Sequence, residues 1–134
     1  MSEVHRFKFD QSVHKGKYTK LEQRMIERLI TKEYVIQLGD VFFFEETPLL
    51  IAVIVEEAPP ASWSDLKKHK VISASQPLLN RGPEPEKILH FVLNALEGSA
   101  FVKRDQVCYL VFTKKYGKED AIEIQIGEYK NGKN

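Results

Sequence analysis

Residues 41–55 read Val-Phe-Phe-Phe-Glu-Glu-Thr-Pro-Leu-Leu-Ile-Ala-Val-Ile-Val. The stretch predicts two strands, Val41 to Glu45 and Leu49 to Val55, linked by Glu46, Thr47 and Pro48. Every position from Leu49 to Val55 is apolar, so no alternation marks a solvent face. Such a strand is expected to be covered on both sides, by helices, a second sheet or another subunit.

Working outward, the N-terminal side supplies a strand and a helix. Val4 to Phe9 alternates Phe7 and Phe9 against Arg6 and Lys8, the pattern of a half-buried edge strand. A loop over Gln11 to Tyr18 follows. Thr19-Lys20-Leu21-Glu22 has the form of a capping box and opens a helix whose apolar stripe is Leu21, Met25, Ile26, Leu29 and Ile30. The expected helix ends near Lys32 or Glu33, and Tyr34 to Leu38 reads as a short strand turned at Gly39-Asp40.

On the C-terminal side Ala58-Pro59-Pro60-Ala61 is a breaker. Ser62 or Ser64 can cap a short helix over Trp63 to His69. Val71 to Arg81 shows no clear period. A longer helix is expected over Glu84 to Glu97, entered through Pro83 and Pro85 and stopped by Gly98. Its stripe is Ile88, Leu89, Val92, Leu93 and Leu96, broadened by Phe91 and Ala95, with His90 partly buried at the margin. Gln106 to Thr113 is apolar on both faces, so Leu110 and Phe112 are expected to be buried beside Ile51 and Val53. Lys114 to Glu119 makes a turn, and Ala121 to Ile126 sets Ile122, Ile124 and Ile126 against Glu123 and Gln125. The tail from Lys130 is polar and expected to fray.

The expected fold is α+β: one domain over residues 1–134, with a mainly antiparallel or mixed sheet of about five to six strands packed with two longer helices and one short helix. A chain of 134 residues, 43% hydrophobic and 29% charged, has the size and composition of one globular domain. The lone Cys108 cannot form an intrachain disulfide. No apolar run reaches the ~20 residues of a membrane span, and the N-terminus lacks a secretory signal. The expectation is a cytoplasmic protein with no membrane partner.

Charge is segregated beneath a net +1. Residues 1–32 carry eight Lys or Arg against four acids, residues 33–66 carry none against seven, and residues 67–134 carry twelve against eight. The acids read either as polar ends to apolar strands or as an edge facing a basic surface on the same or a neighbouring molecule.

Little in the sequence carries chemistry. His5, His14, His69 and His90 have no metal-ligand spacing, and no nucleophile elbow, phosphate loop or dinucleotide motif is present. No metal, cofactor or catalytic residue is assigned, and the balance leans against an enzyme. Cys108 reads as a small buried hydrophobe within its strand. The adjacent acids Glu45-Glu46 and Glu56-Glu57 point to opposite strand faces and read as strand ends. At Asn80-Arg81-Gly82, Pro83 and Pro85 remove amide donors and Glu84 and Glu86 occupy the helix dipole. Arg81 is therefore expected in an ion pair or a surface loop.

Three functions remain. The first is a protein-contact module, homodimeric because three helices are too few to cover both sheet faces. The second is an RNA or single-stranded DNA binding module. Lys20, Arg24 and Arg28 recur every four residues on one helix flank, and His14, Lys15, Lys17 and Tyr18 precede them. The competing reading of that row is a solvated helix face. The third is an enzyme or small-ligand protein with a pocket of dispersed residues around Trp63, His69 and Arg81.

Overall fold

The computed structural model describes residues 3–11, 17–79 and 84–130. Its elements are β1 (Val4–Phe9), α1 (Lys20–Leu38), β2 (Leu49–Glu57), α2 (Asp65–Ser73), α3 (Pro85–Leu96), β3 (Val107–Tyr116) and β4 (Ala121–Glu128), with a 3-10 turn at Arg104–Gln106. The fold is α+β. Among the described residues the sheet has four strands rather than five or six, in the order β1-β4-β2-β3. β1 and β2 lie antiparallel to β4, and β2 lies parallel to β3.

The two missing strands have identifiable causes. Tyr34 to Leu38 continues α1 because Tyr34 extends the buried row Ile26, Ile30 at a spacing of four. Its ring meets Phe7 edge-on at 5.5 Å, and its hydroxyl donates to the Val41 carbonyl. Burial pushes the Tyr34 phenol up to about 12. Three residues on, the Gln37 amide accepts from the Lys8 amide and donates to the Lys8 carbonyl. A helix side chain thus caps the outer edge of β1, and tertiary contacts override the strand propensity of Tyr-Val-Ile. Val41 to Glu45 docks elsewhere: the Phe43 amide donates to the Ala100 carbonyl at 2.8 Å, Phe43 bridges Phe101 outside the sheet, and Glu45 already lies in a turn.

The helix ends follow local chemistry. Thr19 and Glu22 form the expected capping box, and Ser64 caps α2. Gly98 stops α3 at φ 89, a left-handed conformation that favours glycine. The stripe of α1 is rotated from the expected one. Ile26, Ile30 and Tyr34 are buried, while Leu21 and Met25 stand 66% and 60% exposed. In α3 the buried set is Ile88, Phe91, Val92, Ala95 and Leu96, and His90 is exposed rather than partly buried.

One core results. α1 and α3 cover a single sheet face formed by Phe7, Phe9, Leu49, Ile51, Val53, Val55, Ile122, Ile124 and Ile126. The expected double cover of β2 is not found: burial alternates along Leu49–Glu57, and Leu50, Ala52 and Ile54 are half-buried on the side opposite α1 and α3. Polar side chains of neighbouring strands screen that side. Lys8 pairs with Glu56 at 3.0 Å, and the Gln125 amide donates to Glu123.

β3 and β4 follow each other in sequence but lie on opposite sides of β2, so the segment between them crosses the end of β2 instead of closing a hairpin. The Gly117 amide donates to the Glu57 carbonyl and the Ala58 amide to Asp120. A Cβ at Gly117 would lie 2.9 Å from the Glu56 Cβ, which makes glycine necessary there. β3 is therefore an edge strand, and Leu110 and Phe112 are not buried like Ile51 and Val53. Leu110 is 40% exposed and Phe112 half-buried.

Candidate functional site

The free edge of β3 is the first candidate. Gln76, Pro77 and Leu78 cover its C-terminal end: the Leu78 amide donates to the Lys114 carbonyl and the Tyr116 amide to the Gln76 carbonyl. Lys114 and Tyr116 therefore turn their backbone groups away from β2, and by strand alternation so do Leu110 and Phe112. Among the described residues nothing pairs with those groups. A register shift at Leu49/Leu50 leaves Cys108 as an extra residue, with Sγ 3.5 Å from the Leu49 carbonyl. The exposed apolar side chains here are Tyr109 (51%) and Leu110 (40%), one on each face, with Tyr109 stacked on Tyr129.

Cys108 is exposed rather than buried, because β3 lies at the edge. Native protein in dilute solution is accordingly expected to react with a thiol reagent almost as fast as the unfolded chain. Slow labelling that accelerates in denaturant would show that this edge is covered.

The second candidate is the outer flank of α1. Lys17, Lys20, Arg24 and Arg28 are all exposed, as is Lys32, which extends the row because α1 runs on to Leu38. Lys15 and His14 lie outside the described residues. No ion pair joins Lys17, Lys20, Arg24, Arg28 or Lys32 to another described residue. The row borders the groove between α1 and α3. There Glu27 accepts from Gln23 and from Asn94, Asn94 accepts from Arg104 at 2.6 Å, and the Thr31 hydroxyl donates to the Ala95 carbonyl.

The acids of residues 33–66 partly meet cations from the flanking blocks. Lys8 pairs with Glu56, and Lys103 with Glu45 at 2.9 Å. Each carboxylate, through a hydrogen bond and its charge, raises the pKa of the lysine it faces. Glu57, read from sequence as a polar strand end, is buried.

Trp63 and His69 serve separate purposes. Trp63 packs on Tyr116 with Lys67 over its ring, in a small cluster with Val71 and Leu78 that fixes α2 against the end of β3. His69 is exposed and bonds Ser73 within α2. Arg81, with the Asn80-Arg81-Gly82 segment, lies outside the described residues. Among the described residues no group of three or more His, Cys, Asp or Glu is placed to hold a metal ion, and no helix is long and apolar enough to cross a membrane.

The sequence could not show that β3 is an edge strand, because strand order is set by contacts far apart in the chain. No protein-family model matches this chain, and no curated protein matches it.

Proposed function

We propose that the protein is a contact module that assembles as a two-fold dimer through the edge of β3. The observation that carries this reading is the unpaired backbone of Leu110 and Phe112 beneath exposed apolar side chains. An open edge of this kind is a template for another strand.

The covered part of the edge sets the register. Leu78 occupies Lys114, so a second strand has room only along Cys108 to Phe112, and the centre of that span is Leu110. Antiparallel pairing about Leu110 exchanges two reciprocal N–H···O=C bonds between the two copies of that residue and places Phe112 opposite Cys108. A two-fold axis there is perpendicular to the sheet. It joins two four-stranded sheets into one of eight, with both helical layers on the same side. No charge faces a like charge, since the paired span is Cys-Tyr-Leu-Val-Phe.

Light scattering at micromolar concentration is expected to give twice the 15.5 kDa of one chain. Leu110→Lys places two ammonium groups beside the axis and should return the protein to a monomer with unchanged circular dichroism. A monomeric wild type, or a Leu110→Lys variant that still dimerises, rejects the reading. The pocket of Trp63, His69 and Arg81 gains no support, since Trp63 and His69 are each engaged within their own surroundings.

A further inference from the structure

We infer that the groove between α1 and α3 is a track for single-stranded nucleic acid, with phosphates along Lys20, Arg24, Arg28 and Lys32 and a base seated beside His90. Residues four apart on a helix advance about 6 Å and turn only about 40°, so the four cations form one gently winding row. That advance is of the order of the separation between successive phosphates in a stretched single strand. All four are exposed and form no ion pair with another described residue.

The one acid within the row, Glu27, is turned to structural use. Its Oε2 accepts from Gln23 on the same helix at 3.0 Å and from Asn94 of α3 at 2.8 Å, which turns the carboxylate toward the helix pair, and no ion pair joins it to Arg24 or Arg28. On the opposite bank Asn94 also holds Arg104, whose charge is met by Glu97 at 3.3 Å, so the positive field of the groove comes from the α1 row.

Three depressions follow one another along the groove and share lining residues. One depression of about 430 Å³ lies beside Arg24, Arg28, Lys32 and Asn94. A second of about 300 Å³, at Lys20 and Gln23, shares Arg24 and Glu27 with it. A third of about 300 Å³, which shares Gln23, is lined by Tyr18, His90 and Phe91 together with Glu86 and Lys87, whose opposite charges offset each other there. There the Tyr18 ring stands edge-on to Phe91 at 5.3 Å, and His90 is exposed with its Nε2 3.1 Å from the Asn94 amide. A cationic row that ends at an exposed imidazole and a tyrosine matches how single strands are held: charge tracks the backbone, and rings stack on a base. The inference does not depend on the β3 edge, because the groove is complete within one chain.

Fluorescence anisotropy with a short labelled oligouridylate and the matching oligothymidylate tests it. Binding is expected at low salt and should fall steeply as salt rises. The triple variant Lys20→Gln, Arg24→Gln, Arg28→Gln should flatten the slope of log K against log salt by about two units, roughly 0.7 for each phosphate no longer neutralised. His90→Ala should weaken binding several-fold at every salt concentration and leave the slope unchanged. Both variants alter exposed side chains, and circular dichroism is expected to show the native fold. No binding at low salt, a triple variant with the wild-type slope, or a silent His90→Ala each overturns the proposal in whole or in the base-seating part. Phosphatidylserine vesicles provide the remaining arm. Capture by vesicles without oligonucleotide binding would reassign the row, together with exposed Leu21 and Met25, to an anionic lipid surface and overturn the nucleic-acid reading.

Discussion

A Phe7→Ala variant is expected to lose about 3–5 kcal/mol of folding stability in urea denaturation, the range for emptying a packed aromatic site. Phe7 is only 1% exposed although β1 is an edge strand. Its ring meets Tyr34 of α1 edge-on at 5.5 Å and stacks near Phe9 at 6.1 Å. Truncation would therefore empty the seam where the long helix rests on the sheet and also remove the aromatic contact that steadies Tyr34. A domain with about 5–15 kcal/mol of total stability would lose a large share of it. Phe112→Ala is the control. Phe112 is also a strand phenylalanine, but it is half-buried at the opposite edge, so its truncation should cost less than half as much. If the two variants lose similar amounts, or Phe7→Ala loses under ~1 kcal/mol, β1 is not anchored as described.

The contrast between those two phenylalanines shows what the sequence could reveal. The local pattern places Phe7 in an alternating, half-buried edge strand and Phe112 in a strand apolar on both faces, so Phe112 is expected to be the better buried of the two. Only the strand order, with β2 inserted between β3 and β4, places Phe112 at an edge. Signals that act within a turn or a single strand were legible: the Thr19–Glu22 capping box, the Ile122, Ile124, Ile126 row and the stop at Gly98. Tyr34 to Glu45 was not, because its outcome rests on Lys8, Ala100 and Phe101, distant in sequence. The uniform apolar run of β2 gave no alternation, yet its second face is only half-buried. Long polar side chains such as Lys8 and Glu56 lie beside it, and composition alone cannot reveal them. The basic row was legible from helical spacing but stopped short at Arg28, because the helix was expected to end where Lys32 lies. The groove that gives the row a second bank required α3, and with it Asn94 and His90.

Gln106 is the residue that sequence reasoning passed over. Replacing it with glutamate is expected to cost about 3 kcal/mol or more at neutral pH, since each buried carbonyl left without a donor costs ~1–3 kcal/mol. The side chain is 5% exposed and makes four hydrogen bonds to backbone. Its Oε1 accepts from the Val102 and Lys103 amides, at 2.9 and 3.0 Å. Its Nε2 donates to the Phe44 and Thr47 carbonyls, at 2.8 and 3.1 Å. One amide thus ties the loop before β2 to the turn before β3, and the four partners fix which end is oxygen. Glutamate preserves the shape and the accepting end but turns a carboxylate oxygen toward two carbonyl oxygens. Repulsion and burial would hold that carboxyl's folded pKa above its unfolded value of about 4.3. Stability relative to wild type should therefore be greatest below the unfolded pKa, where the acid is protonated and can donate to one carbonyl. It should be lost as pH rises through the folded pKa. Gln106→Leu removes all four bonds without a titrating group and should be destabilised without this pH dependence. Urea denaturation of the three proteins at acid and neutral pH separates these outcomes. A Gln106→Glu variant as stable as wild type at neutral pH would mean that the amide does not join these loops.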